Sequence, residues 1–284
     1  MFKTHFDIGY TDMASNVVQR YRTAMIDQAL EVVDQNRDLP PAQQFVWTIP
    51  GWPTHKILED WPGQKPERKQ RVLQVFKEGR FVVHALPFSM HTELLEPEDL
   101  VRGLGYSSQL RRGLGLELPR DAKMTDVPEH TWMLATLLHH AGVQFMMMGC
   151  NGRSGPLRVP MLFWWEGPDG SRVLTLYSPN YGTQLMPPAD WPCHTWLALL
   201  HTGDNHGPPK TGRSEKGARP GRQATPRRQG AHWANVGLCR RHPGRKARPA
   251  GGSWRRPRLL DSRTDVRPRR RASRPEHPSA HHGH

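Results

Sequence analysis

Long apolar runs are missing from this 284-residue chain. Nowhere do the roughly eighteen consecutive apolar residues of a membrane span occur, and no charged start leads into an apolar core of the signal-peptide kind. The expectation is a soluble, cytoplasmic protein with no membrane partner. Cysteine is scarce: Cys150, Cys193 and Cys239 are widely spaced and form no C-x-x-C pair, which speaks against a thiolate zinc site. No internal repeat is present, so a solenoid or propeller is not indicated.

Aliphatic side chains nearly vanish after Gly207, where Val236, Leu238, Leu259, Leu260 and Val266 are almost all that remain. The same segment holds 21 of the 40 Lys and Arg residues but only 4 of the 26 Asp and Glu. Residues 1–206 are left with 19 basic and 22 acidic residues, so the formal charge of +14 belongs entirely to the tail. With so little apolar surface to offset chain entropy, residues 207–284 are expected to be disordered. The Arg/Pro/Gly/His composition and the abrupt change after Asn205-His206-Gly207-Pro208 are those expected of an out-of-frame translation of GC-rich coding sequence. Runs such as Arg267-Pro268-Arg269-Arg270-Arg271, with Trp233 and Trp254, offer a competing reading as a nucleic-acid-binding arm. The absence of any periodicity or recognition motif there argues against nucleic acid as a partner.

Residues 1–206 alternate strand-like and helix-like patterns. A short apolar strand ends at His5, and Val18, Tyr21, Met25, Ala29 and Val33 then follow at three- and four-residue steps, with Ser15 as the expected N-cap. Residues 45–49 and 80–86 read as strands, separated by a helix that opens at Pro66 and stops at Gly79. Residues 96–116 read as mostly helical. Residues 122–125 lead into Asp126, a helix containing Leu134, Leu137 and Leu138 follows, and residues 143–148 form another buried strand. Residues 161–165 and 172–177 form a hairpin turned by Asp169-Gly170, and residues 195–200 read as a last apolar strand. This alternation predicts an α/β fold, a sheet or barrel of parallel strands.

Polar residues gather where those strands end. Side chains at the carboxyl ends of parallel strands line one rim, and His5, Asp7, Asp126 and Asp204 all fall there. His5 and Asp7 are two apart in extended chain, so both can point to one side and share a metal ion. Each has a plainer role open to it: Asp126 as a helix cap, Asp204 as a turn residue, His5 and Asp7 as a strand end meeting water. His130 is expected to hydrogen-bond internally, His84 to be structural, and Met146-Met147-Met148 to fill core.

The segment His5-Phe6-Asp7-Ile8-Gly9-Tyr10 resembles the H-x-D-x-G-aromatic opening of glycoside hydrolase family 38, the α-mannosidases. Asp126-Val127-Pro128-Glu129-His130-Thr131 resembles that family's D-x-x-G-H-S/T segment. The resemblance covers roughly residues 1–206 and implies the front of a (β/α)7 barrel, here incomplete and followed by the basic tail. It also implies Zn2+ as cofactor, with His5, Asp7 and Asp126 as ligands, and a carbohydrate as substrate. Asp126 would be the nucleophile of a retaining two-carboxylate mechanism on α-mannosides, with zinc binding vicinal sugar hydroxyls. Asp204 is the candidate general acid, and Tyr10 and His206 are the candidate sugar-contacting residues.

The chain departs from the family pattern in two places. Glu129 stands where the family has glycine, and the family's downstream histidine ligand has no counterpart, His201 and His206 being the substitutes at hand. An open barrel leaves edges exposed, so low stability and impaired activity are expected. A metal-dependent carbohydrate deacetylase, with His and Asp ligands on an incomplete barrel, is the competing enzymatic reading.

Overall fold

The computed structural model describes residues 1–153, 157–181, 183–191 and 193–208. The expected disorder of the basic tail concerns residues that, apart from Gly207 and Pro208, lie outside those described.

Two four-stranded sheets organise the described residues. In the first, β1 (Phe2–His5) is flanked by β2 (Trp47–Ile49) and by β8 (Leu200–Asp204), and β3 (Phe81–Val83) lies beyond β2, all parallel. In the second, β4 (Asp121–Asp126), β5 (Phe145–Cys150) and β7 (Arg172–Ser178) run parallel, and β6 (Leu162–Glu166) closes one edge antiparallel to β7. Where β3 ends, Ala85 N donates to the carbonyl of Asp121 at 2.9 Å, joining the two sheets at one point. The fold is therefore α/β with mainly parallel pairing.

Helices connect the parallel strands because such a crossover needs a long return. The helix after β1 runs as α1 (Ala14–Arg20), a π-helical turn (Tyr21–Met25) and α2 (Ile26–Gln35). Tyr21, Met25, Ala29 and Val33 are buried at the expected steps, but Val17 rather than Val18 is the buried residue of the first turn. Ser15 is not its cap. Met13 takes that place without a side-chain bond, because the helix starts two residues earlier than the spacing suggested, and Asp12 just before it accepts at Oδ1 from Met13 N at 2.7 Å and from Asn16 Nδ2 at 2.9 Å.

After β2 comes α3 (Gly51–Leu58), which the Pro-Gly boundary and Pro53 concealed, although proline is tolerated in a first helical turn. The helix α4 (Pro66–Lys77) opens at Pro66 as expected, and α5 (Pro97–Gly103) and α6 (Gly105–Gly113) divide the segment read as interrupted helix. Between β4 and β5 lies α7 (Met133–His140).

The apolar core follows the sheets. Phe45, Trp47, Phe76 and Phe81 pack beneath the first sheet, with Trp47 and Phe81 edge to face at 5.7 Å. Met124, Met146, Met148, Leu134 and Leu138 fill the space beneath the second. The last strand is not the apolar run 195–200 but Leu200–Asp204. Leu197 and Leu199 are buried against Met147 and Leu176, yet the ladder to β1 begins only at Leu200, where the apolar run ends. Burial was legible in the pattern, while the pairing partner was set by β1.

Candidate active site

The site begins at the carboxyl end of β1. His5 faces Asp204 across the ladder to β8, with an irregularity in register between Lys3 and His5. Its ring is buried, its Nδ1 lies 3.0 Å from Thr125 Oγ1, and its Nε2 lies 3.5 Å from Asp126 Oδ2. Thus residues from β1 and β4, in different sheets, meet at one point. Burial first, then the nearby Lys123, His201 and Lys3, lowers the His5 pKa to about 3. The imidazole is therefore neutral near neutral pH and keeps a lone pair for a ligand.

Asp126 occupies the left-handed region at φ 75, uncommon for a residue with a side chain. Thr125 beside it is pinned, since its N–H donates to Ser89 Oγ at 3.1 Å and its Oγ1 lies 3.3 Å from Lys123 Nζ. The Asp126 Oδ1 atom is buried without a hydrogen-bond partner. So is Oδ1 of Asp204, whose nearest basic group is His201 Nε2 at 3.7 Å. Buried acceptors are seldom left unpaired, and two at one site mark a place made for another group.

Tyr181 joins the two acids. Its hydroxyl donates to Asp204 Oδ2 at 3.5 Å, and burial, then the charges of Asp126 and Asp204, push its pKa well up. Its ring packs 5.3 Å from that of His5 and 5.2 Å from that of His201. The Tyr181 carbonyl accepts from Lys3 Nζ, a buried amino group whose pKa burial lowers to about 6. Gly149 makes this possible: a Cβ there would sit 2.7 Å from Tyr181 Cβ and 2.9 Å from its Cα. A cavity of about 320 Å³ lined by Asn180, Tyr181, His201, Gly203 and Asp204 opens beside the pair.

Asp7 completes the rim. Its carboxyl pKa is raised by burial, then by Asp204 and Asp126, against an opposing hydrogen bond from the Thr11 backbone. Asp204 is raised by burial and then by Asp126. The charge of Asp126 thus opposes the ionisation of both Asp7 and Asp204, a condition that a bound cation relieves. Asn205 holds Asp7 in place, its Oδ1 accepting from Asp7 N at 3.0 Å and its Nδ2 donating to Thr11 Oγ1 at 2.7 Å and to the Asp7 carbonyl. Asn205 is buried with φ 53, a conformation Asn tolerates better than most residues.

The structure brings His5 and Asp126 together, with Asp7 and Asp204 close enough to perturb each other electrostatically. The donors, a neutral imidazole and carboxylates, suit zinc in kind. In placement, no group of three His, Cys, Asp or Glu side chains among the described residues is gathered tightly enough to hold an ion. Tyr10 is 90% exposed. His206 is exposed with its ring against Gly203, Nδ1 3.2 Å from the carbonyl of Thr202. His130 lies 3.3 Å from Thr92 Oγ1 and Glu129 is exposed. The residues that sequence reasoning missed are Thr125, Tyr181 and Asn205. Only Asn205 left a signal, as a turn-forming residue directly after Asp204.

An α/β fold with acids and a histidine gathered at strand ends has the architecture of a hydrolase built on parallel strands. The sequence profile of the glycosyl hydrolases family 38 N-terminal domain matches residues 2–210, and the chain belongs to that family. An α-mannosidase from Enterococcus faecalis V583 has a similar structure, with a TM-score of 0.56 at 14% identity over 73% of this chain and 25% of that one. A second protein of glycosyl hydrolase family 38 from Enterococcus faecalis aligns with a TM-score of 0.45 and 16% identity over 62% of this chain and 18% of its own. The chain thus spans about a quarter of the mannosidase it matches. No curated protein matches it in sequence. Among the described residues no helix is long and apolar enough to cross a membrane.

Proposed function

We infer that the chain carries the catalytic front of a zinc-dependent α-mannoside hydrolase that retains configuration. Its two sheets are read as part of a (β/α)7 barrel, with strands in the order β8, β1, β2, β3 and then β4, β5, β7. The observation that carries this reading is the meeting of Asp126 and Asp204, from separate sheets, at Tyr181, with His5 Nε2 against Asp126.

In this reading an Asp126 oxygen attacks the anomeric carbon while the glycosidic C–O bond breaks and Asp204 gives its proton to the departing oxygen. The raised pKa of Asp204 suits a group that must hold that proton. Asp204 then takes a proton from water, the water oxygen attacks the same carbon, and Asp126 is released as carboxylate. A hydroxyl between the two acids favours the short separation of about 5–5.5 Å that retention requires. His5, Asp7 and Asp126 would be the residues to hold zinc. Bound there, the ion supplies a Lewis acid for sugar hydroxyls.

The test is 4-nitrophenyl α-mannoside against an N-acetylated sugar, each with and without zinc, on the chain and on D126N and D204N. A 2-deoxy-2-fluoro mannosyl fluoride should label Asp126, read as added mass on its peptide. Label on another residue, or deacetylation alone, defeats the reading.

A further inference from the structure

Two hydroxyls beside His5 have no part in that chemistry. Thr125 follows Lys123 by two residues on β4, so both side chains project to the same side of the strand. Thr125 is fully buried, and its Oγ1 has three polar neighbours: His5 Nδ1 at 3.0 Å, Ser89 Oγ at 3.2 Å and Lys123 Nζ at 3.3 Å. Ser89 belongs to the segment after β3 and is tied to β4 twice. Its Oγ accepts from Thr125 N at 3.1 Å, and the backbone N–H of the next residue, Met90, donates to Met124 Sδ at 3.3 Å. Ser89 itself is only half-buried.

A threonine hydroxyl donates one hydrogen bond and accepts two, and a neutral imidazole carries one proton. Lys123 donates to Thr125 Oγ1 and so fills one acceptor position, which leaves His5 and Ser89 to share the other acceptor position and the single hydroxyl proton. Only two arrangements satisfy all three contacts. In the first, Ser89 donates to Thr125, Thr125 donates to His5 Nδ1, and His5 carries its proton at Nε2, toward Asp126 Oδ2. In the second, each bond reverses: Nδ1–H donates to Thr125, Thr125 donates to Ser89, the half-buried Ser89 hydroxyl turns its proton to solvent, and Nε2 presents a lone pair.

We propose that Ser89 and Thr125 are positioning residues, a reversible hydroxyl relay that decides which nitrogen of His5 holds the proton. At rest the first arrangement holds, because Nε2 and a carboxylate oxygen that face one another need a hydrogen between them. The second is the one that a cation at Nε2 requires, and this half of the inference rests on the metal reading above. A threonine kept only to fill space could give way to valine, which has the same branched outline and no hydroxyl.

Histidine-selective 15N NMR of the full chain tests this, with the His5 signals assigned by their loss in H5Q. Without metal, His5 should be protonated at Nε2. T125V should then move the Nδ1 resonance to that of a nitrogen that accepts no hydrogen bond, and T125S should leave it in place. On addition of zinc the proton should pass to Nδ1. Competition with a chelator should show zinc bound about 10- to 100-fold more weakly by T125V and by S89A, with T125S close to the unaltered chain. S89A is the sharper variant, since it leaves the His5–Thr125 contact in place and removes only the outlet for the Thr125 proton. A metal-free His5 protonated at Nδ1, or an Nδ1 signal indifferent to T125V, overturns the relay, as does undiminished zinc affinity in T125V and S89A. Absence of zinc binding by the unaltered chain defeats the metal reading alone, and the relay then stands or falls on the metal-free spectra.

Discussion

Replacing Asn205 by alanine should loosen the Asp7 loop at a cost that can be worked from its contacts. The side chain makes two hydrogen bonds of ordinary length, to Asp7 N and Thr11 Oγ1, and a third to the Asp7 carbonyl. At about 0.5–1.5 kcal/mol each, the first two account for about 1–3 kcal/mol. Alanine must also adopt φ 53, which costs about 1 kcal/mol more than asparagine pays there. The expected loss for N205A is therefore about 2–4 kcal/mol, a large share of the ~5–15 kcal/mol that holds a typical domain. Urea denaturation of the full chain followed by tryptophan fluorescence measures it. N205G removes the same bonds but accepts the backbone angle, so it should fall about 1 kcal/mol short of N205A. Equal losses would refute the backbone argument, and an N205A loss below about 0.5 kcal/mol would refute the role of the side chain.

Three further outcomes follow from the same geometry. G149A should cost about 1–3 kcal/mol, because its Cβ collides with the backbone of Tyr181 as well as its side chain, and tyrosine fluorescence should report the displaced ring. Burial raises the Asp121 pKa to about 6, against an opposing Arg111, so between pH 4 and 6 the folded chain keeps a proton that the unfolded chain has lost. That stabilisation is complete below pH 4 and disappears as pH rises through 6, a change of about 3 kcal/mol that D121N should abolish in urea titrations compared across this window. Zinc at a hundredfold excess over its Kd should stabilise the chain by about 2.7 kcal/mol in a thermal melt, and H5A should remove the shift; a shift retained in H5A places the ion elsewhere.

The rise and fall of apolar periodicity located most elements because it is a local property. The π-helical turn at Tyr21–Met25 did not disturb it, and the β6–β7 hairpin followed from Asp169-Gly170. Local pattern failed where a competing local signal was stronger. Pro50-Gly51 hid α3, and the apolar run at 195–200 drew the last strand away from the polar residues that form it.

The amino-acid sequence by itself determined that His5 and Asp126 end strands, since strand position depends on neighbours a few residues away, while Asp7 lies two residues beyond β1 and the strand ending at Asp204 was drawn too early. Tertiary structure alone decided that His5 turns its Nε2 to Asp126, that Asn205 secures Asp7, and that Tyr181 stands between two acids while Tyr10 is left exposed. Those choices depend on strand register and on hydrogen bonds between residues more than a hundred positions apart, such as His5 with Thr125 and Asp7 with Asn205, which no local repeat encodes.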